Sequence, residues 1–309
     1  QNAFPRDWKP RTQDGGAPDV DGDPEIQIER LKRWNDERDK IVQQNHPDMV
    51  HMFFDKNNDG NRDAGYARMR SFMDCIEIHP IQAVFWQPFT DKPRPGTNAS
   101  AATRNNVSTW LQMWNMGIGV PGVVNTDAHW NFHGSGPLRN YIASSTDDPG
   151  AIDVDEMIAS TRAGRLIMTN GPYLEATVTS ALPSDATTGS AGDTVLAPGR
   201  RAQLRTRLQC ATRPAIARDL VLRMGSFDPQ LNFTRETTPD YFGDGVVKFE
   251  GEFPLVLEGD AHIVVAATNE NEALGLVYGA RAGSANPIAM NNPIFIDTDA
   301  NGFTPNGDL

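Results

Sequence analysis

The sequence predicts an α/β region followed by an all-β sandwich. Between residues 24 and 172, strand-like runs alternate with amphipathic helical stretches, the pattern of parallel βαβ units. From about residue 173 the pattern changes to the runs TVTS, AQLRTRLQCA, DLVLRM, VVKFEGEF, HIVVAATN and GLVYG, separated by Gly, Pro and Asp turns. Such a series reads as an antiparallel sandwich of the immunoglobulin type over 173–309. A length of 309 residues agrees with two domains at roughly 150 residues each. Residues 1–23 have no apolar periodicity and many Pro, Gly and Asp, so they read as an extended arm or linker.

The first helix is expected over 25–38, with Asp23 as N-cap, Pro24 in the first turn, and Ile28, Leu31 and Trp34 at helical spacing. Strands follow at 40–44 (KIVQQ) and 73–78 (MDCIEI). A helix near 103–116 carries Val107, Trp110, Leu111 and Trp114 on one face and stops at Gly117. VPGVV (120–124) is a third strand. A helix over 153–163 opens with Asp153 and Glu156, the spacing of a capping box, and ends at Gly164. RLIMT (165–169) is a fourth strand.

The charge is −12, from 28 Lys+Arg against 40 Asp+Glu. This balance argues against nucleic acid or an anionic membrane surface as the main partner. No apolar run approaches the about 18 residues of a membrane span. Cys75 and Cys210 are the only cysteines, and both sit in apolar runs. They read as two small buried hydrophobes rather than one long-range disulfide.

In parallel α/β folds, functional side chains project from the C-terminal ends of strands. Three expected strand ends carry metal-competent residues: Asn45-His46-Pro47, Glu77-Ile78-His79-Pro80 and Asn125-Thr126-Asp127-Ala128-His129. A divalent metal needs carboxylate oxygen and neutral imidazole nitrogen converging from different segments. A lone His before Pro, or Asp-x-His by itself, is common in ordinary loops. The set carries weight because four of the six histidines, His46, His79, His129 and His133, fall at or just past strand ends.

The runs IVQQNHP, MDCIEIHP, STWLQMWNMGIGVPGVVNTDAHW, GPLRNYI and TRAGRLIMTNGPYLEATV occur in this order over about 24–180. Together they resemble the metallohydrolases of the polymerase-and-histidinol-phosphatase (PHP) superfamily, in its carbaryl-hydrolase-like branch. The resemblance implies the C-terminal half of a distorted (β/α)7 barrel, with divalent transition metal ions (Zn, Fe or Mn) at its C-terminal mouth. It also implies hydrolysis of phosphoester, carbamate, ester or amide bonds by a metal-bound hydroxide. His46 matches the ligand of the NHP motif, and Asp127 and His129 match the closing Asp-x-His pair. Arg139, in LRNYI, matches an Arg-x-Tyr stretch and is a candidate substrate-binding residue. Glu77 and His79 are added as neighbours of the site. The family places further His and Glu ligands upstream of NHP, whereas this sequence has no histidine before His46. A half barrel also leaves sheet edges open. Both points lead to the expectation of a second polypeptide or an N-terminal fragment that completes the barrel.

Asp55-Lys-Asn57-Asn-Asp59-Gly60 with Asp63 follows the D-x-[DN]-x-[DN]-G spacing of calcium loops, without the glutamate of the twelfth position. Asp297-Thr-Asp299-Ala-Asn301-Gly302 repeats it, and Asp19-Val-Asp21-Gly-Asp23 is a looser version. Asp, Asn and Gly are also the commonest turn residues. Weak calcium loops suit calcium-rich extracellular fluid and point to a secreted or periplasmic protein. Two functional readings result. One is a metal-dependent hydrolase whose site is completed by another segment. The other is a catalytically degenerate, calcium-stabilised binding or structural component.

Overall fold

The computed structural model describes residues 1–4, 18–34, 39–59, 61–81, 84, 105–127, 138–181, 186–210, 219–224, 228–269, 273–275, 278 and 283–307. Helix α1, Pro24–Arg33, starts where Asp23 accepts a hydrogen bond from the Glu25 N–H, and it buries Ile28 and Leu31. Strands β2 (Ile41–Gln44), β3 (Cys75–Glu77) and β4 (Gly122–Val123) run parallel. The short helix α2 (Met49–Phe53) lies between the first two, and α3 (Asn106–Asn115) precedes the third. Asn105 caps α3, and Gly117, at φ +69°, ends it in the left-handed region that favours glycine. The start of the expected arm is a strand: β1, Asn2–Phe4, pairs antiparallel with β2. Residues 5–17 of that arm lie outside the described residues.

The expected fourth parallel strand behaves differently. Strand β6 (Leu166–Thr169) pairs antiparallel with β5 (Arg139–Ile142) on one side and with β15 (Ile288–Asn291) on the other. It therefore belongs to the second sheet and not to the α/β sheet. The intervening helix α4, Val154–Arg162, is capped by Asp153 as expected. Glu156 does not close a capping box: its carboxylate accepts from the Ser145 N–H at 2.7 Å and the Ser145 hydroxyl at 3.1 Å.

The remaining strands are β7 (Tyr173–Ser180), β8 (Thr188–Gly189), β9 (Thr194–Leu196), β10 (Arg201–Gln209), β11 (Asp219–Met224), β12 (Asp228–Thr234), β13 (Val247–Val256), β14 (Ala261–Thr268) and β16 (Ile294–Asp297). One sheet has the order β13-β10-β7-β8. The other runs β12-β11-β14-β15-β6-β5, with β16 on β14 and β9 on β16. Of the expected GLVYG strand, Gly275 and Tyr278 are described, and they form a turn in which the Tyr278 N–H donates to Gly275 O. No closed barrel forms among the described residues.

The larger sheet is buried on both faces, which explains the continuous apolar run of β14. Val264, Ala266, Ile288, Met290, Leu166 and Met168 pack into the α/β core with Trp110, Val123 and Ile76. The alternate residues Ile263, Val265, Ala267 and Ala289 pack into the sandwich core with Leu174, Leu204 and Phe253. The chain thus forms three layers around a shared sheet. Strands β7 and β10 bury one face only and alternate accordingly.

Two asparagines join the layers. Gly122 and Val124 point their backbone groups away from β3, on the outer edge of β4. Asn292 accepts from Gly122 N–H at 2.7 Å and donates to Gly122 O at 2.9 Å. Asn140 does the same for Val124, both at 2.9 Å. These amides stand in for a neighbouring strand, so this edge of β4 is not open in the way a truncated barrel would leave it. A charge network closes the other side of the layer. Asp74 accepts from Lys32 Nζ, Arg162 Nε and the Val42 N–H. Arg162 also clamps Asp39, whose carboxyl it holds below the usual range.

Neither cysteine is in a disulfide: Cys75 is buried, and burial pushes its thiol pKa up, while Cys210 is half-buried. His262 on β14 is buried beside Phe303, and burial lowers its pKa to about 4. Unfolding restores the ordinary value of 6.5. Below pH 6.5 the unfolded chain therefore binds a proton that the native chain excludes until about pH 4. Stability is unaffected by this group above pH 6.5 and falls by on the order of 2–3 kcal/mol as the pH drops through that window. Thermal melts of wild type and His262→Leu between pH 7.5 and 4.5 check this. The variant should lose that part of the pH dependence, and parallel curves for the two proteins would refute the assignment.

Candidate metal centre at the strand ends

The C-terminal ends of β2, β3 and β4 lie side by side because the strands are parallel and adjacent. His46 follows β2, Glu77 closes β3, and Asp127 lies four residues beyond β4. The Glu77 carboxylate is buried, 2% exposed, and its Oε2 accepts the His46 backbone N–H at 2.8 Å. His46 Nε2 stands 3.7 Å from the same oxygen and 3.3 Å from Asp127 Oδ1. The rings and carboxylates of His46 and Asp127 are about half open to solvent, at 60% and 51%. One imidazole nitrogen is therefore flanked by a buried carboxylate on one side and an exposed one on the other.

Both exposed members hold strained backbone. His46 has φ +44° and Asp127 φ +49°. His and Asp reach this region more readily than most residues, yet it still costs about 1–3 kcal/mol each. Nearby, Gln43 Nε2 donates to Asn45 Oδ1 at 2.9 Å, while the buried Asn125 Nδ2 has no hydrogen-bond partner among the described residues.

Other expected members are placed elsewhere. His79 is exposed, its carbonyl accepts from Asn106 Nδ2 at 3.0 Å, and its ring has no polar contact with the cluster. His129 and His133 lie outside the described residues. Arg139 bonds to the Tyr141 hydroxyl (3.2 Å) and to Gly171 O (3.3 Å). Side chains alternate along β5, so Asn140 faces β4 while Arg139 and Tyr141 face the sandwich side. Tyr141 stacks edge-on against Tyr173 of β7. The sequence reading singled out the neighbours of Asn140 and missed Asn140 itself.

The two acidic loops form compact turns. In the first, Asp55 and Asn57 side chains both accept the Asp59 N–H, at 3.1 and 3.0 Å, and Asp59 accepts the Asn61 N–H at 2.7 Å. Asp63 accepts from Gly65 and Lys56 N–H groups, which lower its pKa, Gly65 most. In the second, burial would raise the Asp297 pKa, but the N–H groups of Gly302, Asp299 and Ala300 outweigh it and leave it lowered. Asn301 donates from Nδ2 to Asp299 at 2.9 Å. Among the described residues, one acidic triad has ligand oxygens all within 4.8 Å of one another: Asp260, Asp297 and Asp299. Asp260, at the turn before β14, was not foreseen; a single Asp in a Gly-Asp turn carries no distinguishing signal. It also accepts from Thr298 N–H and Thr304 N–H, both at 2.8 Å.

Known protein families, characterised proteins and solved structures were compared with the chain. None matches. The likeness to PHP metallohydrolases accordingly rests on the motifs alone. Among the described residues no helix is long and apolar enough to cross a membrane.

Proposed function

We propose that this chain is part of a metal-dependent hydrolase of the PHP type, with its centre at His46, Glu77 and Asp127. The observation that carries the reading is the approach of Asp127 (3.3 Å) and Glu77 (3.7 Å) to His46 Nε2 from three neighbouring strand ends. One imidazole and two carboxylates are donor types that suit Zn, Fe or Mn. Their ligand atoms do not all lie within 4.8 Å of one another, so an ion would have to draw the Glu77 and Asp127 oxygens together around His46. A divalent ion held by these residues would supply a more acidic bound water and a Lewis acid for a phosphoester, ester, carbamate or amide. Glu77 fixes the His46 backbone and sets a buried carboxyl group beside the imidazole. Asp127 supplies the solvent-facing oxygen, and His129 belongs to the same motif. The three described donors leave the set incomplete, and in this reading His129 together with a second polypeptide or an upstream fragment supplies the rest.

Transition-metal content per chain of natively purified, chelator-washed protein tests this, together with ester and phosphoester hydrolysis by wild type and Asp127→Ala. The expected result is bound Zn, Fe or Mn, and loss of both metal and hydrolysis in the folded variant. Metal-dependent hydrolysis that survives Asp127→Ala would refute the ligand assignment.

The second reading is a calcium-stabilised, catalytically degenerate extracellular component. It is favoured by the Asp260, Asp297 and Asp299 carboxylates, which gather with no Lys or Arg bonded to them among the described residues. Its mark is a rise in melting temperature with millimolar calcium that Asp299→Asn removes, in protein free of transition metal. A secreted or periplasmic location belongs to either reading.

A further inference from the structure

A cavity of about 260 Å³ lies between the β5–β6 pair and β7, apart from the strand-end cluster and both acidic loops. Leu166, Ile167 and Ala176 give it an apolar lining, and Tyr141 and Tyr173 form an aromatic wall. The two rings meet at 89° with centroids 5.2 Å apart, so an edge and a face are both presented. Both tyrosines are 38% exposed.

Two charged residues line the space, Arg165 and Glu175. They are not equivalent. Glu175 Oε2 already accepts from Gln209 Nε2 at 2.9 Å and lies 3.8 Å from Arg207. Arg165 is anchored through Nε alone, 3.0 Å from Asp193 Oδ1, and its two terminal nitrogens carry no hydrogen bond to a described residue. The other Asp193 oxygen is taken by the Ser190 N–H and hydroxyl, at 3.1 and 3.2 Å. The Arg165 side chain is 51% exposed, so its terminal nitrogens are open to water, which an entering carboxylate, the anion that fits a guanidinium best, can replace.

Size narrows the ligand. The volume exceeds the about 150 Å³ that admits benzene and falls below the about 300–1,000 Å³ of drug-sized sites. It suits one ring with a short chain.

We propose that this cavity binds a small aryl carboxylate, its ring against Tyr141 and Tyr173 and its carboxylate on Arg165. The proposal does not depend on the hydrolase reading. It is tested by calorimetric or NMR titration of the full chain with 3-phenylpropionate, 3-phenylpropanol and 3-phenylpropylamine. The acid should bind saturably, and the alcohol and amine about tenfold more weakly or worse. Arg165→Gln should weaken the acid by a similar factor and leave the alcohol unchanged. Tyr173→Ala should weaken all three ligands. Melting curves identify variants that remain folded, and Arg165→Lys, which keeps the charge without the fork, should retain part of the affinity. Equal or tighter binding of the amine, undiminished binding of the acid by Arg165→Gln, or no saturation up to about 10 mM acid would each overturn the proposal.

Discussion

Replacing Asp74 by alanine lowers the unfolding free energy by roughly 3–5 kcal/mol, the usual cost of removing one partner from a largely buried ion pair. The Asp74 side chain is 10% exposed and receives four hydrogen bonds, two from Lys32, one from Arg162 and one from the Val42 backbone. It therefore ties α1, α4 and β2 to the start of β3. Without it, Lys32 and Arg162 retain charges that are only about 30% open to solvent, and the Val42 N–H loses its acceptor. Arg162 keeps Asp39, which holds its guanidinium charged, so the loss concentrates on Lys32 and Val42. Asp74→Asn keeps an acceptor for one donor and should cost less. Urea unfolding of both variants provides the measurement. A loss below about 1 kcal/mol for Asp74→Ala would mean that water replaces the network without penalty.

Asn292→Ala is expected to cost about 3–4 kcal/mol, because it strands buried backbone groups at about 1–3 kcal/mol each. Gly122 N–H and C=O both depend on the Asn292 amide, and Leu166 O lies 3.4 Å from its Nδ2. Asn292→Asp keeps the acceptor and loses the donor, so it should fall between wild type and the alanine variant. Amide hydrogen exchange gives a local readout: protection at Gly122 should drop in the alanine variant before protection at Val178 in the distant sandwich sheet does. Equal loss at both sites would indicate global destabilisation and not a loosened β4 edge. Asp127 lies beyond β4, so the same variant should also weaken any metal held by His46 and Asp127.

The local grammar of this chain was readable. Asp23 and Asp153 occupy helix starts, Gly117 and Gly164 helix ends, and the alternation of AQLRTRLQ marks a half-buried strand. What could not be read was pairing across long separations. LIMT is apolar at both parities, so nothing in it distinguishes a parallel partner at β4 from an antiparallel partner at β15, more than a hundred residues later. Strands β15 and β16 were hidden for a related reason, since Pro287 and Pro293 punctuate IAMN and IFID into segments too short to show periodicity. At the candidate site, residue type and position after a strand pointed to His46, Glu77 and Asp127, but equally to His79, which lies apart from them, and to His129, which lies outside the described residues. Asn140, Asn292 and Asp260 act through backbone partners distant in sequence, and amide or carboxylate side chains give no local sign of such a role.

The sheet with apolar side chains on both faces has a consequence for how the molecule can be divided. Residues 24–172 end before β14 and β15, which furnish Val264, Ala266, Ile288 and Met290 to the α/β core. Residues 173–309 begin after β5 and β6, and so lose two strands of their own sheet. Neither half, produced separately, can keep its interior dry. Heating should accordingly melt the protein in one calorimetric transition, and insertion or recombination would have to carry both layers together, as a single heritable unit.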